Sequence, residues 1–193
     1  MKALLVYAHP NPLSFNAAIA ATVKEELEKK GIEVKVKDLY AMNFNPVLSK
    51  ADLEGTHTGN VPADIKAEQE DVRNADIIVM VAPIWWYSVP AIMKGYMDRV
   101  FSIGFAYEYT ESGPRGLLNG KKGLIITTAG ADEKTAKETG LDKVVDMGIA
   151  QALFGFCGFS EYKSKIFYAV PMVSDEERRN MLSEVRNLIQ NFA

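Results

Sequence analysis

The sequence is poor in residues that form disulfides or bind metals. Its 193 residues include one cysteine, Cys157, and two histidines, His9 and His57. A single cysteine cannot form an intrachain disulfide, and its apolar neighbours in FGFCGF predict a buried, unreactive thiol. These residues are too few for a structural zinc site. We therefore expect no metal centre, and we expect His57, in a polar loop, to be a solvated bystander.

The sequence also lacks an excess of positive charge and a long apolar run. Its formal net charge is -3, without a basic stripe, so a nucleic-acid partner is not expected. No apolar run is long enough to span a bilayer, and the short run after Lys2 does not resemble a secretory signal. We therefore expect no membrane insertion and a cytoplasmic location.

Sequence motifs of several catalytic classes are missing. The chain has no G-x-S-x-G of the α/β-hydrolases and no glycine–lysine loop of the P-loop enzymes. It also has no G-x-G-x-x-G after the first apolar strand, which argues against a dinucleotide-type Rossmann sheet.

Short apolar runs and amphipathic stretches alternate along the chain. KALLVY (2–7), DIIVMVAP (76–83) and GKKGLIITTAG (120–130) are examples of the apolar runs. This alternation predicts an α/β fold with a mostly parallel sheet and helices on both faces. Five strands in a single domain, 1–193, favour a flavodoxin-like three-layer sandwich with strand order 2-1-3-4-5. The polar stretch 40–65 is predicted to be a long loop.

Polar and aromatic segments follow three of the predicted strands. They are HPNPLSFN (9–16), PIWWYSVP (83–90) and TTAGAD (127–132). In an open α/β sheet, ligands bind outside the carboxyl ends of the strands, here at the switch point between strands 1 and 3. We therefore expect the three segments to form one rim.

The first segment has the composition of an anion site. A helix start offers free backbone N–H groups and a partial positive charge, which suit a phosphate. His9, Ser14 and Asn16 add further polar groups. The alternative that Ser14 or Asn16 only caps the helix stays open.

The second and third segments favour a flat ligand. Trp85, Trp86 and Tyr87 could cover a conjugated ring such as an isoalloxazine, or could fill the core or a subunit interface. Gly130 allows the backbone to approach a ligand closely. An anion site beside an aromatic shelf, in a chain without a metal site, predicts an organic cofactor that carries the chemistry.

Longer stretches of the chain resemble the flavodoxin-fold NAD(P)H:quinone oxidoreductases, the DT-diaphorase family. They run in the family's order: YAHPNPLSFN, DLYAMNFNPVLSKADLEG, PIWWYSVPAIMKGYMDRVF followed by GFAYEY, ITTAG, and FCGF. The resemblance implies a two-electron flavin reductase that takes electrons from NAD(P)H and passes them, in a ping-pong cycle, to a small quinone-like acceptor. It also implies a homodimer with active sites at the subunit interface.

Carried over by position, the resemblance implies a set of cofactor-binding residues and a substrate pocket. The cofactor residues are His9, Ser14, Phe15 and Asn16 for the phosphate and ribityl chain, Pro83, Ile84, Trp86 and Tyr87 for the ring, and Thr127, Thr128, Ala129 and Gly130 for its pyrimidine edge. Tyr107 and Tyr109 match aromatics that line the quinone pocket from the partner subunit. No catalytic side chain is assigned, because the flavin carries the chemistry.

Two departures from the family's pattern leave alternatives open. Thr135 and Leu141 stand where family members often carry a tyrosine and a histidine that are proposed to stabilise the flavin's charge, so either the loop aligns differently or this enzyme does without the two groups. The loop 55–65 is shorter than in the mammalian enzymes, so FMN is as plausible as FAD. Two alternative functions remain: a flavin-bound regulatory subunit of a membrane transporter, and a small electron-carrier flavodoxin.

Overall fold

The five strands of the main sheet are separated by helices, as the sequence predicts, but the alternation is not strict, because some helices follow one another directly and a two-stranded hairpin is inserted. The computed structural model describes residues 1–193 except the side chain of His57, so the predicted role of His57 lies outside the described residues. The strands are β1 (Lys2–Tyr7), β2 (Glu33–Asp38), β3 (Ile77–Pro83), β4 (Tyr107–Thr110), β5 (Gly113–Gly116), β6 (Lys122–Thr128) and β7 (Glu161–Phe167). The helices are α1 (Phe15–Lys29), α2 (Lys50–Thr58), α3 (Ala63–Asn74), α4 (Ala91–Val100), α5 (Glu133–Thr139), α6 (Leu141–Val145), a π-helix (Asp146–Gly155) and α7 (Asp175–Phe192).

Five strands form one parallel sheet in the order β2-β1-β3-β6-β7. The predicted flavodoxin-like α/β fold with a five-stranded parallel sheet is therefore confirmed. The predicted order 2-1-3-4-5 needs a correction of numbering, because β4 and β5 precede β6 and pair only with each other in an antiparallel hairpin. A four-residue strand with partly exposed side chains gives too weak an alternation to be found from sequence.

The sheet is buried on both faces because its central strands are apolar at every position. β3 is buried along its whole length. Ile78, Met80 and Ala82 face a core shared with α3 and α4. Their neighbours Ile77 and Val79 face a second core, shared with α1 and α7. This continuous burial is characteristic of a parallel strand covered on both sides.

The stretch 40–65, predicted to be a loop, contains helix α2. Ser49 and Asp52 form a capping box, in which the Ser49 hydroxyl accepts from the Asp52 N–H and the Asp52 carboxylate accepts from the Ser49 N–H. The sequence signal was missed because the box usually carries Glu or Gln at its last position. A second capping box, formed by Ser174 and Glu177, begins α7.

A buried ion pair ties α2 to the rest of the domain. Arg99 on α4 is 5% exposed, and its guanidinium donates to both carboxylate oxygens of Asp52 and to the carbonyl of Asn45. Burial would raise the pKa of Asp52, but the bonds from Arg99 and Ser49 outweigh it and hold that pKa below its usual value. Arg99 therefore connects both ends of the segment 45–52 to α4.

Replacing Arg99 with Met should destabilise the fold strongly. The change leaves the Asp52 carboxylate buried without its cation, which costs about 3–5 kcal/mol. Urea unfolding measures the loss. Lys24→Met is a matched control, because the ion pair of Lys24 with Glu28 lies on the exposed face of α1 and should contribute less than about 1 kcal/mol. Equal effects of the two changes would contradict the assigned role of Arg99.

Candidate active site

The carboxyl ends of β1, β3 and β6 bring the three predicted segments to one rim. Tyr7 on β1 pairs in register with Val81 on β3, and Pro83 on β3 pairs with Thr128 on β6. Beyond the strands, the Ile84 N–H donates to the Thr128 carbonyl at 2.8 Å. The sheet register alone therefore aligns residues 9–16, 84–87 and 128–130.

Helix α1 begins at this rim with free hydrogen-bond donors. Ser14 is its N-cap, and the Ser14 hydroxyl accepts from the Ala17 N–H at 3.2 Å. The N–H groups of Phe15 and Asn16 have no hydrogen-bond partner among the described residues. Ser14 therefore caps the helix. The N–H groups of Phe15 and Asn16 still point out of the helix start, where they can stabilise a bound anion.

Asn16 joins the first segment to the third. Its side chain is 4% exposed, and its Nδ2 donates to the Thr128 hydroxyl at 2.9 Å. Its Oδ1 is buried without a hydrogen-bond partner among the described side chains. A buried amide that keeps an unpaired atom is costly, which indicates that a ligand completes it.

His9 lies against the aromatic segment. Its Nδ1 lies 3.0 Å from the Asn11 backbone nitrogen and 3.1 Å from the Asn11 carbonyl oxygen, so the tautomer of the ring sets which of the two contacts is a hydrogen bond. The imidazole and the indole of Trp85 have centroids 6.0 Å apart, within the range of aromatic pairs. The contact bridges the crevice between the ends of β1 and β3, as predicted for the switch point.

The segment after β3 is a tight turn of two aromatic residues. Trp85 and Ser88 exchange both backbone hydrogen bonds, at 2.7 and 3.0 Å. Trp86 and Tyr87 between them have φ of 51° and 59°. Two residues with positive φ in a two-residue loop form a type I′ turn, which normally takes Asn-Gly. Bulky side chains in this conformation are strained, and such strain clusters at functional sites.

The strained turn also projects an aromatic side chain into solvent. Trp86 is 99% exposed, and Trp85 and Tyr87 are about half exposed. The turn therefore presents Trp86 at the rim rather than in the core. The segment is not extended, so alternation along a strand does not decide which of the two tryptophans faces the rim.

Replacing Trp86 and Tyr87 together by Asn and Gly should stabilise the protein. Asn-Gly fits the type I′ turn without strain, so we expect a gain of about 1–2 kcal/mol in the free energy of unfolding. Thermal unfolding measures it. Trp85→Asn is the control, because Trp85 lies in the same turn without a positive φ, and it should give no gain. A double variant less stable than the parent would show that the turn is not strained.

The third segment contributes mainly backbone groups. Ala129 is buried, and its N–H donates to the Phe167 carbonyl at 2.8 Å. The N–H of exposed Gly130 has no hydrogen-bond partner among the described residues. Thr128 is held by Asn16, whereas the fully buried Thr127 places its hydroxyl 3.5 Å from the Lys165 carbonyl. Of the two threonines, only Thr128 is tied to the first segment of the rim.

Comparison with known proteins identifies the family. A model described as a flavodoxin-like fold matches residues 1–189. An uncharacterized NAD(P)H oxidoreductase of Haemophilus influenzae is 39% identical, over 94% of this chain and 91% of its own length. A ribosyldihydronicotinamide dehydrogenase (quinone) of Pongo abelii is 36% identical, over 99% of this chain and 91% of its own length. A solved NAD(P)H:quinone oxidoreductase from Methanothermobacter marburgensis has a TM-score of 0.86 at 28% identity, over 99% of this chain and 96% of its own.

This chain belongs to the flavodoxin-like quinone oxidoreductase family. The predicted family and the predicted class of enzyme, an oxidoreductase, are therefore confirmed. Among the described residues of this quinone oxidoreductase homologue, no cluster of His, Cys, Asp and Glu could hold a metal ion. No helix in the described part of the chain is both long and apolar enough to cross a membrane.

The two positions that depart from the family's pattern carry no acid–base group toward the rim. The Thr135 hydroxyl donates to the Asp132 carboxylate, at the start of α5. Leu141 is buried in a small apolar cluster with Ala129 and Ala136. The cluster around Ala129 is therefore mostly apolar, and Tyr168, which packs against it, brings a side-chain hydroxyl to it.

The remaining predicted residues are divided between the rim and a second region. Pro83 is buried at the end of β3, while Ile84 and Phe15 are half-buried. Tyr107 and the exposed Tyr109 lie on the β4–β5 hairpin, with ring centroids 5.8 Å apart. Tyr107 lines a cavity of about 290 Å³ between α4 and the π-helix. The two tyrosines do not pair with the aromatic residues of the same chain's rim.

One residue of the site was missed by sequence reasoning. Tyr7 ends β1 and is buried beneath the first segment, with its hydroxyl oxygen 3.3 Å from the Ser14 hydroxyl oxygen and 3.4 Å from the Asn11 carbonyl oxygen. Burial raises the pKa of Tyr7 against the lowering effect of the Ser14 contact, so its phenol stays protonated. The sequence signal that could have identified Tyr7 is a hydroxyl-bearing side chain on the last residue of an apolar strand.

Proposed function

We propose that this protein is a flavin-dependent NAD(P)H:quinone oxidoreductase that works by a two-electron ping-pong cycle. The observation that carries the proposal is the rim itself. Free N–H groups at the start of α1 and the incompletely bonded Asn16 lie beside a strained aromatic turn. The names of the relatives support the same activity.

The residues of the rim fit a flavin. The N–H groups of Phe15 and Asn16, with the Ser14 hydroxyl and the His9 ring, suit the phosphate end. The unpaired atom of the Asn16 amide suits a polar group of the ribityl chain. When bound, the flavin supplies hydride chemistry, taking two electrons from NAD(P)H and giving them to the acceptor. The same donors suit the phosphate end of FMN and of FAD.

The chain's own residues would bind the flavin, orient its ring and shield it from water. Trp86 and Tyr87 would cover one side of a flat ring, and Ile84 and Ala129 would exclude water beside it. The N–H of Gly130 is available to a negative charge at the pyrimidine edge, where preorganised backbone donors stabilise charge that develops in a reaction. Because Thr135 and Leu141 offer no acid there, we propose that no side chain has to transfer a proton. The donor would leave before a small quinone-like acceptor enters the same slot.

Tyr107 and Tyr109 support a homodimer with active sites at the interface. They lie on the β4–β5 hairpin, where Tyr107 lines the α4 cavity together with Ser88 and contacts the exposed Phe156. In a symmetric dimer, one chain's hairpin can complete the substrate pocket of the other.

We expect a dimer in sedimentation velocity at micromolar protein. Tyr109→Ala should lower the affinity for the quinone by about tenfold and leave the flavin content unchanged, because Tyr109 would contact the substrate rather than the cofactor. Tyr162→Ala is the control, as another exposed tyrosine, and should change neither. A monomeric protein with full activity would contradict the shared site.

Flavin binding depends on the start of α1. Replacing Ser14 and Asn16 together by Ala should reduce flavin occupancy, because each lost charge-assisted bond costs roughly 1.5–3 kcal/mol. Released flavin, identified by chromatography, measures the occupancy and distinguishes FMN from FAD. Thr139→Ala, on α5 away from the rim, is the control and should retain the flavin. Unchanged flavin affinity in the double variant would remove these residues from the site.

Enzymatic activity decides between the oxidoreductase and its alternatives. We expect the purified protein to oxidise NADH or NADPH with a soluble quinone, at a rate that Thr135→Val changes little.

Trp86→Ala should weaken flavin binding more than Trp85→Ala, because Trp86 is the more exposed at the rim. A flavin-loaded protein that neither nucleotide reduces would defeat the proposal. No contact or relative described above supports the alternative function, a regulatory subunit of a membrane transporter. The cytoplasmic location of the protein stays a prediction.

A further inference from the structure

Tyr7 lies directly behind the hydroxyl that faces the anion site. It ends β1 and is 4% exposed, so its phenol has few possible partners. Its oxygen is within reach of two acceptors, the Ser14 hydroxyl and the Asn11 carbonyl, at 3.3 and 3.4 Å. The Asn11 carbonyl already accepts from the Ser14 N–H at 3.1 Å. Tyr7 and Ser14 therefore both contact the Asn11 carbonyl, and their hydroxyl groups also contact each other.

The proton on the Ser14 oxygen can point in two directions. That oxygen has two lone pairs and one hydrogen, and one lone pair accepts from the Ala17 N–H. If the Tyr7 hydroxyl donates to the second lone pair, the Ser14 hydrogen is free to point out of the helix start. If Ser14 donates to Tyr7 instead, it presents no hydrogen to an anion.

An anion at the helix start selects between the two arrangements. It attracts the Ser14 hydrogen and therefore favours the arrangement in which Tyr7 donates. The unpaired buried Asn16 amide is an independent sign that a ligand occupies this end of the rim. The phenol is buried and kept protonated, so its one hydrogen goes either to the Ser14 hydroxyl or to the Asn11 carbonyl.

We propose that Tyr7 is a positioning residue that makes the Ser14 hydroxyl a hydrogen-bond donor to the phosphate end of the flavin. This inference rests on the proposed function, since it concerns the same site. As a positioning residue, Tyr7 would act on the flavin only through Ser14. Its effect is confined to the contact between Ser14 and the phosphate, so it distinguishes a phosphorylated flavin from riboflavin, which lacks the phosphate.

The test compares FMN with riboflavin in the flavin-free protein, with FAD as a parallel ligand. Tyr7→Phe should lower the ratio of FMN to riboflavin affinity by about tenfold, the size of one charge-assisted bond, while the riboflavin affinity stays the same. Ser14→Ala should lower the ratio as far, Ser14→Thr should restore it, and adding Tyr7→Phe to Ser14→Ala should lower it no further. Tyr96→Phe is the matched control, because Tyr96 is a buried tyrosine whose hydroxyl contacts Glu68 on α3.

The outcomes separate this inference from the proposed function. A wild-type protein that binds no flavin overturns both. A wild-type protein that prefers FMN, with Tyr7→Phe weakening both flavins equally or neither, overturns only the role of Tyr7. If Tyr7→Phe does not fold, 3-fluorotyrosine incorporated into the wild-type chain replaces it, because the more acidic phenol is the stronger donor. The ratio should then rise, and an unchanged ratio would also overturn the inference.

Discussion

The parallel pairing of β1, β3 and β6 is the constraint on which the rest of the molecule depends. β3 is apolar and buried throughout, so it can only lie between two other strands with helices on both faces. A one-residue change of register would move every side chain to the opposite face. The register in turn fixes where each strand ends. Residues that follow Tyr7, Pro83 and Thr128 consequently meet at one edge.

The rim at this edge is less stable than the sheet beneath it. Its backbone donors are unpaired at the start of α1, the Asn16 amide is incompletely bonded, and Trp86 and Tyr87 adopt a conformation that suits glycine. Each feature costs free energy in the chain by itself. Such costs persist where a ligand or a reaction depends on them, and the burial of the sheet beneath supplies free energy that offsets them.

Helix α2 and the β4–β5 hairpin could not be predicted from the sequence, and in both cases the reason is physical. Helix α2 is short and mostly exposed, and its position depends on the buried pair of Asp52 with Arg99, which is 47 residues away. The β4–β5 hairpin is too short to show a strand period. Strands β1 and β3 and helix α7 were predictable, because apolar runs and a capping box are local signals. The position of the candidate site, at the carboxyl ends of the strands, followed from the topology that the sequence predicts. The contacts between its side chains did not.

The sequence by itself determined the strands of the parallel sheet, that three polar or aromatic segments follow them, and that the family is that of the quinone oxidoreductases. These properties follow from local pattern and from motifs. The tertiary structure decided which side chains of those segments face each other. Asn16 bonds Thr128 across 112 residues, and the adjacent Thr127 is turned to β7. Tyr7 reaches Ser14 only because the first segment folds back over the end of β1. Such contacts depend on the packing of distant segments, which no local pattern encodes.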